Sequence, residues 1–215
     1  MAEKKQGLWI AFEGNDGSGK STQITKVAEY LQGLGVEVVA TREPGGNAYS
    51  EKLRGLIFDQ EIAHDPVTQL YLFAAARRRN ILVTVKPSIK AGKIVLSDRS
   101  EGSTYDYQHY QFGLSFGDVQ QINDYATEGI KPNFTFVLDV DPEIGWQRMQ
   151  AAKGVEANHF DMASQKDRIK RRKGYLELAK KFPHWILIDA NQGKEKVFQD
   201  IVGAIQKNKI LSLQL

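Results

Sequence analysis

"FEGNDGSGKSTQ" spans residues 12–23 and follows the short apolar run "LWIAF" at 8–12. Three glycines remove side chains from this stretch, after which Lys20, Ser21 and Thr22 arrive together. Gly14-Asn15-Asp16-Gly17-Ser18-Gly19-Lys20-Ser21 satisfies the pattern G-x-x-x-x-G-K-[ST]. The glycines permit dihedrals that other residues resist, and they let backbone N–H groups close on a phosphate chain. A helix beginning near Lys20 adds the positive end of its dipole to that anion site. The spacing gives Lys20 the β- and γ-phosphates and the Ser21 hydroxyl a Mg²⁺ ion. Gly14, Asn15, Asp16, Gly17, Ser18, Gly19, Lys20, Ser21 and Thr22 are therefore the candidate ATP-binding segment. A glycine-rich turn that binds nothing would not require the strand–turn–helix context found here.

Working outward, "LWIAFEG" (8–14) reads as a buried strand and Lys20 to Leu34 as a helix ended near Gly35. Further strands are expected at "VEVVATRE" (36–43), "KIVLSDR" (93–99), "NFTFVLDV" (133–140) and "HWILIDA" (184–190). A long helical stretch is predicted over 64–91, with Pro66 near its start and Pro87 kinking or shortening it. Other helices are expected near 101–110 and 115–129, from Pro142, over 164–181, and at the end of the chain. Strands alternating with helices argue for a parallel sheet covered on both faces.

The bulk composition sets limits. A chain of 215 residues without repeats or a linker-like tract reads as a single domain, 1–215. A hydrophobic content of 41% and a charged content of 26% are ordinary for a globular protein. The net charge of +3 suits anionic small ligands and is too slight to argue for a nucleic-acid or membrane partner. No apolar run reaches the length of a membrane span, and the one near the start is too short for a signal peptide. The sequence has no cysteine, which removes disulfides and thiol chemistry and agrees with a cytoplasmic protein. Four scattered histidines suggest no metal site.

"TREPGG" (41–46), "LFAAAR" (72–77), "DRSEGSTYDYQ" (98–108), "KPNFTFVLDVDPE" (131–143) and "YLELA" (175–179) follow the phosphate loop in order. Together they resemble the thymidylate kinase family over roughly residues 8–190. The resemblance implies a three-layer α/β P-loop NTPase fold of the nucleoside-monophosphate-kinase type. Its five-stranded parallel sheet has the order 2-3-1-4-5 and is flanked by helices, with a mobile lid. It also implies transfer of the ATP γ-phosphoryl to dTMP in dTTP synthesis, with Mg²⁺ as cofactor and a homodimeric assembly.

The residue chemistry agrees with this. Arg42 and Arg99 stand just beyond strand ends, where ligands bind in open α/β sheets, and the arginine fork matches phosphate. Phe73 and Arg77 are four apart and share a helix face; the resemblance puts Phe73 on thymine and Arg77 on its edge. By resemblance Tyr107 crowds the sugar 2′ position, Ser103, Thr104 and Gln108 line base and sugar, and Asp16 touches the sugar or acceptor phosphate. Asp98 joins Ser21 as a Mg²⁺ ligand through water, with Glu13 the weaker candidate. A nucleotide 5′-phosphate has a second pKa near 6 and needs no base to act as nucleophile. Catalysis then falls to alignment and charge neutralisation by Lys20, Arg99, Mg²⁺ and a lid cation.

Gly17 occupies the loop position that is basic in some relatives, which places this chain with the lid-dependent type. The lid is expected at about 148–163, and Arg148, then Lys153, is its candidate catalytic cation. The lid departs from the family pattern, with Asn158-His159 where an Asp-Arg pair is usual. The run "KDRIKRRK" (166–173) reads as the solvated face of a helix whose buried side includes Ile169, Leu176 and Ala179. Three alternatives remain open at this point. One is a deoxynucleoside kinase, which would need a carboxylate base, Glu43, for a neutral hydroxyl acceptor. The others are a P-loop ATPase or GTPase and a non-catalytic nucleotide binder.

Overall fold

The structure is a computed structural model and describes residues 7–62, 65–152 and 164–210. The central strand β1 (Leu8–Glu13) is buried along its whole length. Leu8, Ile10 and Phe12 face one side of the sheet and Trp9 the other, which is why the segment reads as a continuous apolar run. β2 (Val38–Arg42), β3 (Ile94–Asp98), β4 (Phe134–Asp139) and β5 (Trp185–Asp189) complete a five-stranded sheet in the order β2-β3-β1-β4-β5. Every pairing is parallel, and the register sets Phe12 and Arg42 level with Asp98. Sheet composition, order and direction are as the sequence and its resemblance imply.

One face of the sheet is covered by α1 (Lys20–Gly33) and α9 (Lys194–Lys207), whose Ile24, Val27, Leu31, Val197, Ile201 and Ile205 meet the strand residues in the larger core. The opposite face carries α3 (Pro66–Asn80), α6 (Phe116–Thr127) and α8 (Gln165–Lys181), which contribute Leu70, Val119, Tyr175 and Leu178 to a second cluster with Val137 and Trp185. Helix α2 (Ala48–Ile57) packs on α3 and has no counterpart in the sequence expectation. Its signal was Asn47, whose side chain accepts from the amides of Tyr49 and Ser50 as an N-cap.

The long helical stretch ends its regular α-helical part at Asn80. It continues as a π-helical turn, Ile81–Val85, and then as α4 (Lys86–Lys90). Pro87 lacks an N–H, and the widened turn before it accommodates the lost bond without ending the helix. After β3 the chain forms the short α5 (Glu101–Thr104) and a seven-residue π-helical segment, Tyr105–Gln111, in place of one regular helix. α7 (Pro142–Ala151) leads into the stretch expected to form the lid. Most of that segment, including Lys153, Asn158 and His159, lies outside the described residues.

Ile10 is fully buried in the central strand. Ile10→Ala is expected to lower unfolding free energy by about 2–5 kcal/mol in urea denaturation, because the surrounding strands and helices cannot collapse onto the cavity.

Candidate active site

The phosphate loop joins β1 to α1 with Gly14, Gly17 and Gly19 at φ 132°, 76° and 90°. Two of these positions also leave no room. A Cβ on Gly14 would stand 2.5 Å from the Leu138 carbonyl oxygen, and one on Gly17 would stand 2.0 Å from the carbonyl oxygen of Gly145 in α7. The loop therefore packs backbone against backbone on α7. Glycine at position 17 is a steric requirement of that contact as well as the absence of a basic side chain.

Lys20 is buried, and its Nζ donates to the carbonyls of Gly14 and Asn15 at 3.0 and 3.1 Å. Burial, and then the neighbouring Arg99 guanidinium, push its ammonium down to about 8, against the pull of Asp16, Asp98 and Glu13. Ser21 Oγ donates to Asp98 Oδ2 at 2.6 Å. This pair of hard oxygens, one from the loop and one from the end of β3, fits a Mg²⁺ ion that keeps several waters and phosphate oxygens. Among the described residues no cluster of three or more histidine or carboxylate ligands exists, so an ion here would be held jointly with nucleotide and water.

Arg99 follows Asp98 with φ 70°, a left-handed conformation that costs a non-glycine residue about 1–2 kcal/mol. The turn aims its side chain back at the phosphate loop. Nη2 pairs with Asp16 Oδ1, and Nη1 donates to Ser103 Oγ at 3.0 Å and to the Gly14 carbonyl at 3.5 Å. Asp16 receives a second cation, Arg171 Nη1, on Oδ2 at 3.2 Å. Burial opposes ionisation of Asp16, but Arg99, Arg171 and Lys20 together outweigh it and hold the carboxyl well below its ordinary range.

Glu13, the weaker metal candidate, is fully buried and has another task. It accepts from the Ser100 amide at 2.7 Å and hydroxyl at 3.0 Å, from the Ser103 amide at 3.1 Å and hydroxyl at 2.8 Å, and from Tyr175 Oη at 3.0 Å. Five donors fill the carboxylate and tie the start of α5 to the end of β1.

Beyond Arg99 lies a second wall. Phe73 and Tyr107 share one buried cluster with Ile57 and Ala76. Arg77 is buried beside them: Nε donates to Glu43 at 2.7 Å, Nη2 to the Ser100 carbonyl and Thr104 Oγ1 at 2.9 Å each, and Nη1 to Asn123. Of its five N–H groups one on Nη1 remains for another acceptor among the described residues. Glu43 is committed to Arg77 and, at 3.3 Å, to Asn80, so the base that a hydroxyl-phosphorylating enzyme would need is spent on an ion pair. The Gln108 amide is fully buried, and neither of its atoms has a hydrogen-bond partner among the described residues. Arg42 is exposed and pairs with Glu51 of α2 at 3.0 Å.

A cleft of about 900 Å³ runs from the phosphate loop, Asp98 and Arg99 to Arg148, Met149, Ala190, Gln192 and Val197. Arg148 is on its wall. Its guanidinium donates to the carbonyls of Ala190, Asn191 and Gln192 at 2.7, 3.3 and 3.1 Å.

The charged run on α8 corrects the sequence expectation. Ile169 is 55% exposed, whereas Arg171, Gly174, Tyr175 and Leu178 form the buried face. Arg172 pairs with Asp139 at 2.6 Å and Asp141 at 3.5 Å, and the Arg168 guanidinium lies 4.4 Å above the Trp146 ring. Nothing local in the sequence marks Arg171 as interior, because its acid partners lie 65 and 155 positions away.

Five parallel strands in this order, with a phosphate loop after the first and a basic turn after the third, define a P-loop protein of the nucleoside-monophosphate-kinase class. Comparison with known proteins is more specific. The family model for thymidylate kinase matches residues 12–201. A thymidylate kinase from Geobacillus sp. strain WCH70 is 41% identical over 202 residues, covering 93% of this chain and 96% of the relative. One from Clostridium novyi strain NT is 37% identical over 203 residues, covering 94% and 99%. The crystal structure of the Ehrlichia chaffeensis thymidylate kinase superposes with a TM-score of 0.77 at 33% identity, covering 93% of this chain and 99% of that one. The chain belongs to the thymidylate kinase family.

Asp16→Asn would leave the partly buried Arg99 guanidinium without its anion and the buried Arg171 with only one of its two. It is expected to cost about 3 kcal/mol at neutral pH. The folded-state pKa of Asp16 lies below its unfolded value of 3.8, so its contribution is complete above that pH and is lost as pH falls below it. Denaturation midpoints measured from pH 7 to pH 2 should therefore drop less steeply on the acid side in the variant than in the native protein.

Proposed function

We propose that this chain transfers the γ-phosphoryl group of ATP to the 5′-phosphate of dTMP, giving dTDP and ADP, with Mg²⁺ held between Ser21 and Asp98. The observation that carries this reading is the convergence of two anion-binding devices at one place: Arg99 emerges from its left-handed turn onto the phosphate loop, within reach of Asp16 and the Gly14 carbonyl.

The acceptor is already a nucleophile. Its phosphate is largely a dianion at neutral pH, so the protein's work is to bring two negatively charged groups into line and offset their repulsion. Lys20 and the loop amides take the ATP β- and γ-phosphates, and Arg99 takes the acceptor phosphate and the moving phosphoryl group. Arg42 supplies a further cation at the acceptor side. Bound Mg²⁺ supplies charge neutralisation across the phosphates. The purine of ATP then lies toward Arg148, Ala190 and Gln192. There Arg148 lines the donor half of the cleft, and with Lys153 it remains a candidate for the cation that completes the transition state.

The base side follows the same logic. Phe73 offers a flat apolar face, the remaining N–H of Arg77 an edge donor, and the unpaired amide of Gln108 a partner whose burial costs free energy until a ligand satisfies it. Ser103 and Thr104 line the floor, and Tyr107 takes up space at the sugar. The commitment of Glu43 to Arg77 weighs against a nucleoside hydroxyl as acceptor.

We extend the proposal to a cytoplasmic, single-domain homodimer without a nucleic-acid partner. No described helix is long and apolar enough to cross a membrane. The dimer reading is supported by a groove between α3 and α6, lined by Tyr71, Ala74, Ala75, Ile122 and Tyr125. Tyr125 is 90% exposed there. Sedimentation is expected to give twice the 24.2 kDa chain mass, and Tyr125→Asp to shift it toward one chain. A native chain that sediments as a monomer at all concentrations contradicts the dimer.

ADP release should be coupled to dTMP, with dUMP used less well and UMP and thymidine poorly. Lys20→Met and Arg99→Met are each expected to lower kcat by about 10²–10³-fold, the scale on which one preorganised charge-stabilising group acts. ADP release from ATP and thymidine alone would move the protein to the nucleoside kinases, and ADP release without any acceptor would favour an ATPase.

A further inference from the structure

Arg171 enters the interior from α8, the helix that follows the lid segment, and is 1% exposed. Its guanidinium meets three separate elements. Nε donates to Asp106 Oδ2 at 2.7 Å, Nη1 donates to Asp16 Oδ2 at 3.2 Å, and the guanidinium carbon sits 4.0 Å from the centre of the Tyr107 ring. Asp106 and Tyr107 are consecutive in the π-helical segment, a form of helix that recurs at functional sites. Arg171 thus spans the phosphate loop, the acid before the tyrosine, and the tyrosine itself.

For stability alone this is a poor arrangement. A buried ion pair contributes little more than apolar residues of the same volume would. Here, among the described residues, Arg171 Nη2 and Asp106 Oδ1 also lack a hydrogen-bond partner, which adds an uncompensated desolvation cost at each end. What the arrangement does achieve is orientation. The two oxygens of Asp16 are divided, Oδ1 to Arg99 and Oδ2 to Arg171, so the carboxylate cannot rotate. The flat guanidinium lies on the Tyr107 ring and holds its plane, a contact that lysine's point charge would not reproduce.

We propose that Arg171 is the positioning residue for the sugar of the acceptor nucleotide. Through Asp16 and Tyr107 it fixes the two groups that set the preference for deoxyribose over ribose, and Asp106 holds Arg171 in place. The inference rests on dTMP being the acceptor.

Steady-state kinetics with dTMP and with its 2′-hydroxyl counterpart, ribothymidine 5′-monophosphate, test it on the native chain, Arg171→Lys, Arg171→Met and the double variant Asp106→Ala/Arg171→Met. Arg171→Met alone strands the Asp106 carboxylate and should lower the melting temperature. The double variant removes both charges and should melt near the native chain. In the double variant KM for dTMP should rise by about ten- to a hundredfold, the scale of a displaced positioning group. The ratio of kcat/KM for dTMP over the ribonucleotide should fall, while KM for ATP stays unchanged. A purely structural role moves the melting temperature without moving that ratio. The inference is overturned if the folded double variant keeps the native KM for dTMP and the native sugar ratio. Should the double variant fail to fold, Arg171→Lys decides by the same two quantities. Native turnover of dTMP reads the acceptor assignment separately: if the native chain does not use dTMP, that assignment falls and this inference falls with it.

Discussion

Glu13 ends the central strand as a carboxylate fully withdrawn from water, and five donors from the region after β3 and from α8 converge on it. Strand pairing already holds β1 level with β3. What pairing cannot do is fix the loops that leave those strands, and these are the parts that meet ligands. Glu13 does so by binding the amides of Ser100 and Ser103 one residue before the phosphate loop begins. Arg99, immediately before Ser100, stands in a conformation its side chain disfavours, and such strain persists only where neighbours over-determine it. The phosphate loop and the turn after β3 are thereby made into one rigid body.

The rest of the site is built outward from that clamp. Arg99 projects onto Asp16, and Asp16 accepts Arg171 from α8. On the other side Gly17 abuts Gly145 of α7, and the Asn15 side chain donates to the Arg168 carbonyl of α8 at 3.0 Å. Both α7 and α8 therefore touch the phosphate loop directly. A shift of either helix would be felt at the loop backbone, where there is no spare volume to absorb it. The second wall of the site is fixed differently, by the Arg77 fork joining Glu43, Asn123, Ser100 and Thr104.

The parts of this design that were legible in the sequence are those whose physics is local. The phosphate loop is read by spacing because backbone amides, not distant side chains, make the anion site. The five strands appear as apolar runs because both sheet faces are covered. α8 misled because a charge run with an isoleucine resembles a solvated face, yet Arg171 is interior and Ile169 exposed. Its acid partners come from other elements, so no window of sequence contains the compensation that makes burial possible. Glu13 showed the converse: beside a phosphate loop a carboxylate suggests a metal ligand, and only the fold reveals five protein donors around it. α2 was hidden by a thin apolar pattern, although its Asn47 cap was readable in principle.

The clamp is tested most directly by Glu13→Met, which keeps the side chain's length but removes both oxygens, so that neither the serine amides on Oε1 nor the hydroxyls of Ser103 and Tyr175 on Oε2 find an acceptor. The measurement is kcat for phosphoryl transfer set beside ATP affinity from calorimetry on the same preparation. If Glu13 aligns the turn after β3 with the phosphate loop, kcat falls by about a hundredfold while ATP affinity changes little, because the phosphate loop itself remains intact. A folded Glu13→Met protein with native kcat would contradict the account, since the two halves of the site would then be aligned by something else.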